Sequence, residues 1–455
     1  MFTELIFTLA VLQAWALAES CPSLTASYPA PSVANGYEAR LVAQGLTKPR
    51  GLVFDNKGNM LVVERGVGVS AFSISGSSSC VTLGEKKSVV GDSTLNHGIE
   101  VTDDGKTLYA SSVDTVFKYE YDSTKMASKN PKAIITGMKS DDLLTRTLLL
   151  SRKSKNKLVV SRGGDDNIDL STVDVNNGLS QLRIFDPTKE SQNYTAGTTL
   201  GWGLRNAVGV AENPKDGGVW SAENNADNIK RDGFNIHENN PAEELNYHGK
   251  LDDSNNPLLG KNYGYPLCYG AWNVSEIPSA GTLQTGQQFA IAEANATTQD
   301  EFCKDDRQGP RLVFQPHTSP LDLKFDGKGE NLYVTLHGSW NRDDPVGYSV
   351  SVIKFGADGQ PTESSTSRNA LTPIVSNSNT TGCPGNCFRP AGLAWDRNGR
   401  LYMTSDSTGE IYVIVKAGGK ALDDSRPAVS VAASSRDMVG ALVVSAVACV
   451  FAWLL

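Results

Sequence analysis

Two short apolar runs separated by a turn rich in Asp, Asn, Lys and Gly recur six times along this chain. The copies are PRGLVFDNKGNMLVVERG (49–66), NHGIEVTDDGKTLYASS (96–112), TRTLLLSRKSKNKLVVSRGG (145–164), LRNAVGVAENPKDGGVWSAEN (204–224), PLDLKFDGKGENLYVTLHG (320–338) and FRPAGLAWDRNGRLYMTSD (388–406). Apolar alternation on either side of such a turn predicts a β-hairpin. Self-similar hairpins at blade-sized spacing predict an all-β, six-bladed β-propeller. The long gap between the fourth and fifth copies predicts an insertion near 226–319, carrying Asn- and Asp-rich loops and the segment NYGYPLCYGAW.

Arg50, Arg146, Arg205 and Arg389 open the first strand of their copies. In a closed ring of blades the strand starts meet around one axis. Four guanidinium groups aimed there predict a site for a small, multiply charged anion. Any one of them alone would read as a solvated strand edge.

The ends predict processing. The apolar run 5–17 is too short to span a bilayer, and Ala16, Leu17 and Ala18 at its end form a small-x-small cleavage pattern. Residues 1–18 therefore read as a signal peptide and 19–420 as the propeller. Residues 421–455 read as a linker and a C-terminal signal, because the apolar run 439–455 ends the chain without a basic tail. That pattern predicts a GPI anchor, with Ser425, Ala428 and Ser430 as candidate attachment residues. An ordinary C-terminal membrane helix is the alternative. The expected location is the outer face of the plasma membrane or the cell wall, as a monomer.

Composition agrees with that compartment. Of seven cysteines, Cys449 lies in the terminal run, leaving an even six. Cys21–Cys80, Cys268–Cys303 and Cys383–Cys387 are plausible pairs, with connectivity left open. Sequons at Asn193, Asn273, Asn295 and Asn379 predict glycosylation. A net charge of −8 argues against a nucleic-acid partner.

Candidate chemistry is sparse. Of five histidines, His97, His317 and His337 fall at repeat positions beside the arginines, where an imidazole can exchange protons at neutral pH. The oxygen-rich segments ENNADNIKRDG and NNPAEELNYHGKLDDSNN suit calcium, although no EF-hand pattern is present. Nucleotide-binding glycine loops, the G-x-S-x-G elbow and a C-x-x-C-H haem site are all missing from the sequence.

In order along the chain, PRGLVFD, LNHGIEV, TRTLLLS, GLRNAVGVAENP, SAENNADN, NYGYP, HTSPLDLKF, LHGSWNR and FRPAGLAWD resemble the glucose/sorbosone dehydrogenase superfamily. The nearest likeness is to the fungal pyrroloquinoline quinone (PQQ)-dependent pyranose dehydrogenases, auxiliary activity family 12, from about residue 37 to 414. The resemblance implies PQQ at the channel mouth with a calcium ion on the quinone. It implies hydride transfer from C1 of a pyranose to PQQ, with electrons leaving to an external acceptor such as a cytochrome. PQQ contacts would fall on Arg205, Asn206, His337 and Arg389, joined by Arg50 and Arg146. Backbone carbonyls of Asn225 and Ala226 would hold calcium, and His317, Trp340 and Asn341 would face the sugar.

One departure matters. The family places its catalytic histidine just before the TRT-like segment, and Leu143 stands there. Leucine accepts no proton. The expectations are therefore an impaired oxidase, a replacement base in Asp142 or His97, or a non-catalytic propeller that binds carbohydrate or PQQ. A calcium-dependent hydrolase or lactonase on the same ring is disfavoured by the axial arginines.

Overall fold

The computed structural model describes residues 21, 23–291 and 300–426. The signal peptide, the terminal run 439–455, Asn295, Ala428 and Ser430 lie outside the described residues.

All six predicted hairpins are present, and each forms the inner half of one blade. Blade I runs Pro49–Phe54, Met60–Glu64, Gly68–Phe72 and Lys87–Val90. Blade II runs Leu95–Val101, Thr107–Ser112, Val116–Asp122 and Ala127–Thr136. Blade III runs Leu148–Leu150, Leu158–Arg162, Gln181–Phe185 and Thr198–Trp202. Blade IV runs Ala207–Glu212, Gly218–Glu223, Glu243–Lys250 and Leu312–Phe314. Blade V runs Pro320–Phe325, Asn331–Leu336, Ser349–Lys354 and Thr372–Ser376. Blade VI takes Pro390–Trp395, Leu401–Ser405 and Glu410–Lys416 from the end of the chain and Tyr37–Ala43 from its beginning. That last antiparallel pairing, Tyr37 opposite Lys416, closes the ring with backbone hydrogen bonds.

The core lies between blades, and strand alternation builds it. In Met60–Glu64, Leu61 and Val63 face the apolar layer shared with blade II, while Met60 and Val62 face the layer shared with blade VI. Successive side chains on a strand point to opposite faces, so a blade flanked on both sides needs apolar residues at consecutive positions. This accounts for runs such as MLVV and LYM.

Around the axis the first strands approach closely. A β-carbon on Gly51 would lie 2.3 Å from the His97 carbonyl, and one on Gly392 would lie 2.4 Å from the Arg50 carbonyl. Register shifts interrupt the inner ladders there, and hydroxyls fill the gaps. Gly392 N–H donates to Thr404 Oγ1, which donates to the Arg50 carbonyl of the next blade at 2.8 Å. Asp322 N–H, Thr335 and the Ala391 carbonyl repeat the arrangement, as do Gly98 N–H, Ser111 and the Arg146 carbonyl.

Two outcomes modify the sequence reading. The region 226–319 is not a single insertion, because it contains the third and fourth strands of blade IV. What is inserted is a loop with the hairpin Lys230–Arg231 and Phe234–Asn235, and a later excursion. The excursion holds the hairpin Cys268–Gly270 and Gln288–Ala290 and the helix Asp300–Asp306, tied by Cys268–Cys303. The folded body also extends past 420, since Leu422 and Asp423 are buried and Ser425 is bonded to Asp423. Cys21–Cys80 and Cys383–Cys387 are bridged as expected. Among the sequons, Asn193 and Asn379 are exposed, while Asn273 is half-buried and donates to Glu276. Among the described residues no helix is long and apolar enough to cross a membrane.

Candidate functional site

Loop length between the second and third strands of each blade decides where the pocket sits. Blades VI, I and II turn within a few residues, whereas blades III, IV and V carry long loops at 163–180, 224–242 and 337–348. One shared apolar cluster, including Ile168, Ile229, Ile236, Tyr265 and Phe289, packs the first two of these loops against the excursion. The result is a high wall on one side of the axis. Against it lies a pocket of about 460 Å³.

Arg205 and Asn206 line this pocket. Arg205 is 6% exposed. Its Nε donates to the Asn167 carbonyl at 2.9 Å, its Nη1 to the Asn224 and Asn225 carbonyls at 3.2 and 2.9 Å, and its Nη2 to Asn167 Oδ1 at 3.0 Å. Every one of these acceptors is neutral, so the guanidinium is fixed in place without its charge being cancelled by a direct partner. Its backbone N–H is held by Glu223.

His317 and Asp227 occupy the same wall. His317 Nδ1 lies 3.0 Å from Asp227, and its Nε2 lies 2.6 Å from the His237 carbonyl. Burial opposes charging His317, yet Asp227 and the carbonyl outweigh it and raise the imidazole above its usual range. Burial likewise opposes ionising Asp227, but His317 and Arg205 hold its carboxyl below the ordinary value. Glu243, which accepts the Asn225 and Ser319 N–H groups, is pushed up to about 7 by burial. Trp340 stands 67% exposed at the rim, and Asn341 donates to Asn228.

Asp142 and Leu143 also line the pocket. Their loop is held almost atom by atom. Arg146 Nη1 donates to the Leu143 and Thr145 carbonyls at 2.7 and 2.8 Å. Its Nη2 donates to the Met138 carbonyl and Ser140 Oγ, both at 2.6 Å. Arg162 holds the Lys139 carbonyl, Asp114 accepts from the Met138 and Lys139 N–H groups, and Asn96 donates to the Leu144 carbonyl. Arg146 is 0% exposed. It therefore does not join the other arginines as an anion contact. It is a clamp on the loop behind the pocket wall.

The remaining candidates gather on the low side of the ring. Arg50 Nη1 bonds Asp406 at 2.6 Å, Asp406 also meets His337 Nε2 at 2.8 Å, and Arg50 Nε donates to His97 Nδ1 at 3.3 Å. Arg389 donates from Nε to the His337 carbonyl and from Nη2 to the Gly338 carbonyl, over the ring of Tyr348. Asp406 was not anticipated, because its partner Arg50 is 356 residues away across the ring closure. The only signal was its offset, one residue beyond the second strand of the last repeat.

Asp406 makes a testable contribution to stability. Burial opposes its ionisation, but His337 and Arg50 win and depress the carboxyl far below its usual range. A depressed folded-state value means stability that is present above the unfolded carboxylate value of about 3.9 and lost as pH falls through the folded one. Asp406→Asn should therefore cost about 1–3 kcal/mol near neutral pH. The difference from the parent should shrink steadily on acidification, measured by urea unfolding at neutral and acidic pH. A difference independent of pH would show that the carboxylate's charge contributes nothing.

For a metal, no group of three or more His, Cys, Asp or Glu side chains is suitably placed among the described residues. A cation near Asn225 and Ala226 would rest on carbonyl and amide oxygens, which suits calcium chemically. The Asn225 carbonyl already accepts from Arg205, so guanidinium and metal would share it or compete for it.

Comparison with known proteins adds to this geometry. The TrAA12-like family model matches residues 31–417. A PQQ-dependent sugar dehydrogenase of Hypocrea jecorina (strain QM6a) is 42% identical over 407 residues, 87% of this chain and 92% of that protein. A PQQ-dependent pyranose dehydrogenase of Coprinopsis cinerea is 39% identical over 422 residues, and the chain spans only 56% of its length. A calcium structure of a Trichoderma reesei family AA12 enzyme superimposes with a TM-score of 0.85 at 43% identity, covering 87% of this chain and 99% of the other. The holo PQQ domain of the Coprinopsis cinerea pyranose dehydrogenase gives 0.80 at 37% identity, covering 87% and 98%.

Proposed function

The chain belongs to the TrAA12-like family, and from that membership we propose that it is a PQQ- and calcium-dependent oxidoreductase acting on pyranose sugars. The observation that carries this reading is the pocket itself. Its wall presents Arg205, whose guanidinium bonds only neutral oxygens, beside Asn206, which suits a cofactor bearing several carboxylates. When bound, PQQ would supply the hydride acceptor, and calcium would supply a Lewis acid beside it.

The chain's own residues have narrower tasks. Arg205, Asn206 and Arg389 bind and orient the anion. Carbonyls of Asn225 and Ala226 offer oxygen to calcium. Trp340 offers an aromatic face at the rim, and His317 and Asn341 face the sugar. In this reading Asp142, the exposed carboxylate beside Leu143 on the pocket wall, takes the hydroxyl proton. An exposed carboxylate is a weak base at neutral pH compared with imidazole, so turnover should be slow. Electrons would pass to an external carrier such as a cytochrome. Processing at both ends would leave the protein anchored at the outer cell surface.

Leu143 also favours a second reading, a propeller that binds PQQ or carbohydrate without oxidising it. Loading the purified chain with PQQ and calcium and then adding aldoses separates the two. A quinone absorbance change on sugar addition supports oxidation. Tight PQQ binding with no change under any aldose supports the binding reading, whereas no PQQ binding overturns oxidation and leaves carbohydrate binding alone, which direct titration with aldoses then decides.

A further inference from the structure

His97 is 4% exposed and sits near the start of the first strand of blade II, on the face of the ring that bears the pocket. Its neighbour Asn96 bonds the Leu144 carbonyl, so the strand start abuts the Asp142–Leu143 loop. Arg50 Nε approaches His97 Nδ1 at 3.3 Å. A guanidinium only donates, so Nδ1 must present its lone pair. The neutral ring then carries its proton on Nε2, the opposite of what a general base facing the ligand requires. Nε2 has no hydrogen-bond partner among the described residues. Arg50 cannot turn away easily, because Asp406 holds its Nη1 at 2.6 Å, and Asp406 is braced in turn by His337 at 2.8 Å.

We propose that His97 is a fixed hydrogen-bond donor rather than a proton acceptor, presenting Nε2–H to an acceptor oxygen of the bound ligand, with Arg50 and Asp406 as positioning residues. This deepens the oxidoreductase reading and rests on it for the identity of the ligand. Charge around the ring agrees with the geometry. Burial, Arg50 and Lys324 all disfavour the imidazolium, and only Asp406 favours it, so the ring stays neutral well below its ordinary range. A neutral donor can stabilise charge developing on an oxygen without being consumed by titration.

The test has one arm independent of activity. Two-bond ¹⁵N NMR of the histidine-labelled chain without cofactor, assigned with H97Q, should give His97 as the Nε2–H tautomer throughout the neutral range. Arg50→Gln should release that preference. A protonated Nδ1, or a ring that titrates near neutrality in the parent, overturns the proposal. The second arm uses the PQQ- and calcium-loaded protein. His97→Ala should lower turnover by about 10²-fold, as removal of a preorganised donor does, and His97→Gln should recover at least about tenfold of it, because an amide donates but cannot act as a base. Equal loss in both variants would reinstate His97 as the base, and no loss in either would deny it contact with the ligand. A weaker PQQ dissociation constant in His97→Ala assigns the acceptor oxygen to the cofactor, whereas a raised KM at saturating PQQ assigns it to the sugar. If the parent binds no PQQ, the oxidoreductase reading fails, while the NMR result still decides the tautomer.

Discussion

Leu143→His should raise sugar turnover of the PQQ- and calcium-loaded protein by about 10²–10⁴-fold, the usual contribution of a positioned general base. The substitution is expected to work because the place is already prepared. Leu143 lines the pocket beside Asn206, and a β-carbon on Gly163 would fall 2.6 Å from the Leu143 β-carbon, so the loop lies tightly against the next blade. Arg146 fixes its carbonyl at 2.7 Å, and the clamps by Arg162, Asp114 and Asn96 hold the rest of the loop. An imidazole on that backbone would be delivered to the pocket with little freedom to lose. PQQ affinity should change little, since none of the cationic contacts is touched. Stopped-flow bleaching of the quinone by an aldose, compared with equilibrium PQQ titration, checks both statements. A fast parent whose rate Leu143→His does not improve, and whose activity falls with Asp142→Asn, would identify Asp142 as a full replacement base. No gain in a slow parent that binds PQQ normally would point to a changed sugar pocket.

Much of this was legible in the sequence, because a propeller repeats its instructions. Six copies of one hairpin gave the blade count, and each copy also carried the apolar residues at consecutive positions that a strand buried on both faces requires. Arg205, Asn206, Asp142 and Leu143 do meet at one pocket. What stayed hidden depended on contacts that no local pattern encodes. Arg146 occupies the same repeat position as Arg50, yet it turns toward four oxygens of its own preceding loop rather than toward the axis. Asp406 and Arg50 find each other only when the ends of the chain close the ring. Blade IV looked interrupted because its outer strands, Glu243–Lys250 and Leu312–Phe314, are separated by the excursion and lack the hairpin turn that marks the inner pair.

Those differences among the arginines set the last expectation, that Arg205→Ala and Arg389→Ala each weaken PQQ binding by about tenfold to a hundredfold, while Arg50→Ala weakens it less. A hydrogen bond to a charged group is worth about 1.5–3 kcal/mol, and each 1.4 kcal/mol is tenfold in affinity. The Arg205 guanidinium donates only to oxygens of Asn167, Asn224 and Asn225, and that of Arg389 only to the His337 and Gly338 carbonyls. Their charges remain available to a polycarboxylate. Arg50 already commits its Nη1 to Asp406 at 2.6 Å and its Nε to His97, so it has fewer N–H groups to offer a carboxylate, although its removal leaves Asp406 without that cation. Arg146→Ala belongs to a different class: it should destabilise the loop that carries Leu143 and depress turnover without the charge-dependent loss of affinity. Equilibrium titration of PQQ at two salt concentrations reads the distinction, because the contribution of Arg205 and Arg389 should diminish as salt screens it. Equal, salt-independent losses for all four variants would mean that the arginines act only through the fold, and unchanged affinity in Arg205→Ala and Arg389→Ala together would remove the case for an anionic cofactor in this pocket.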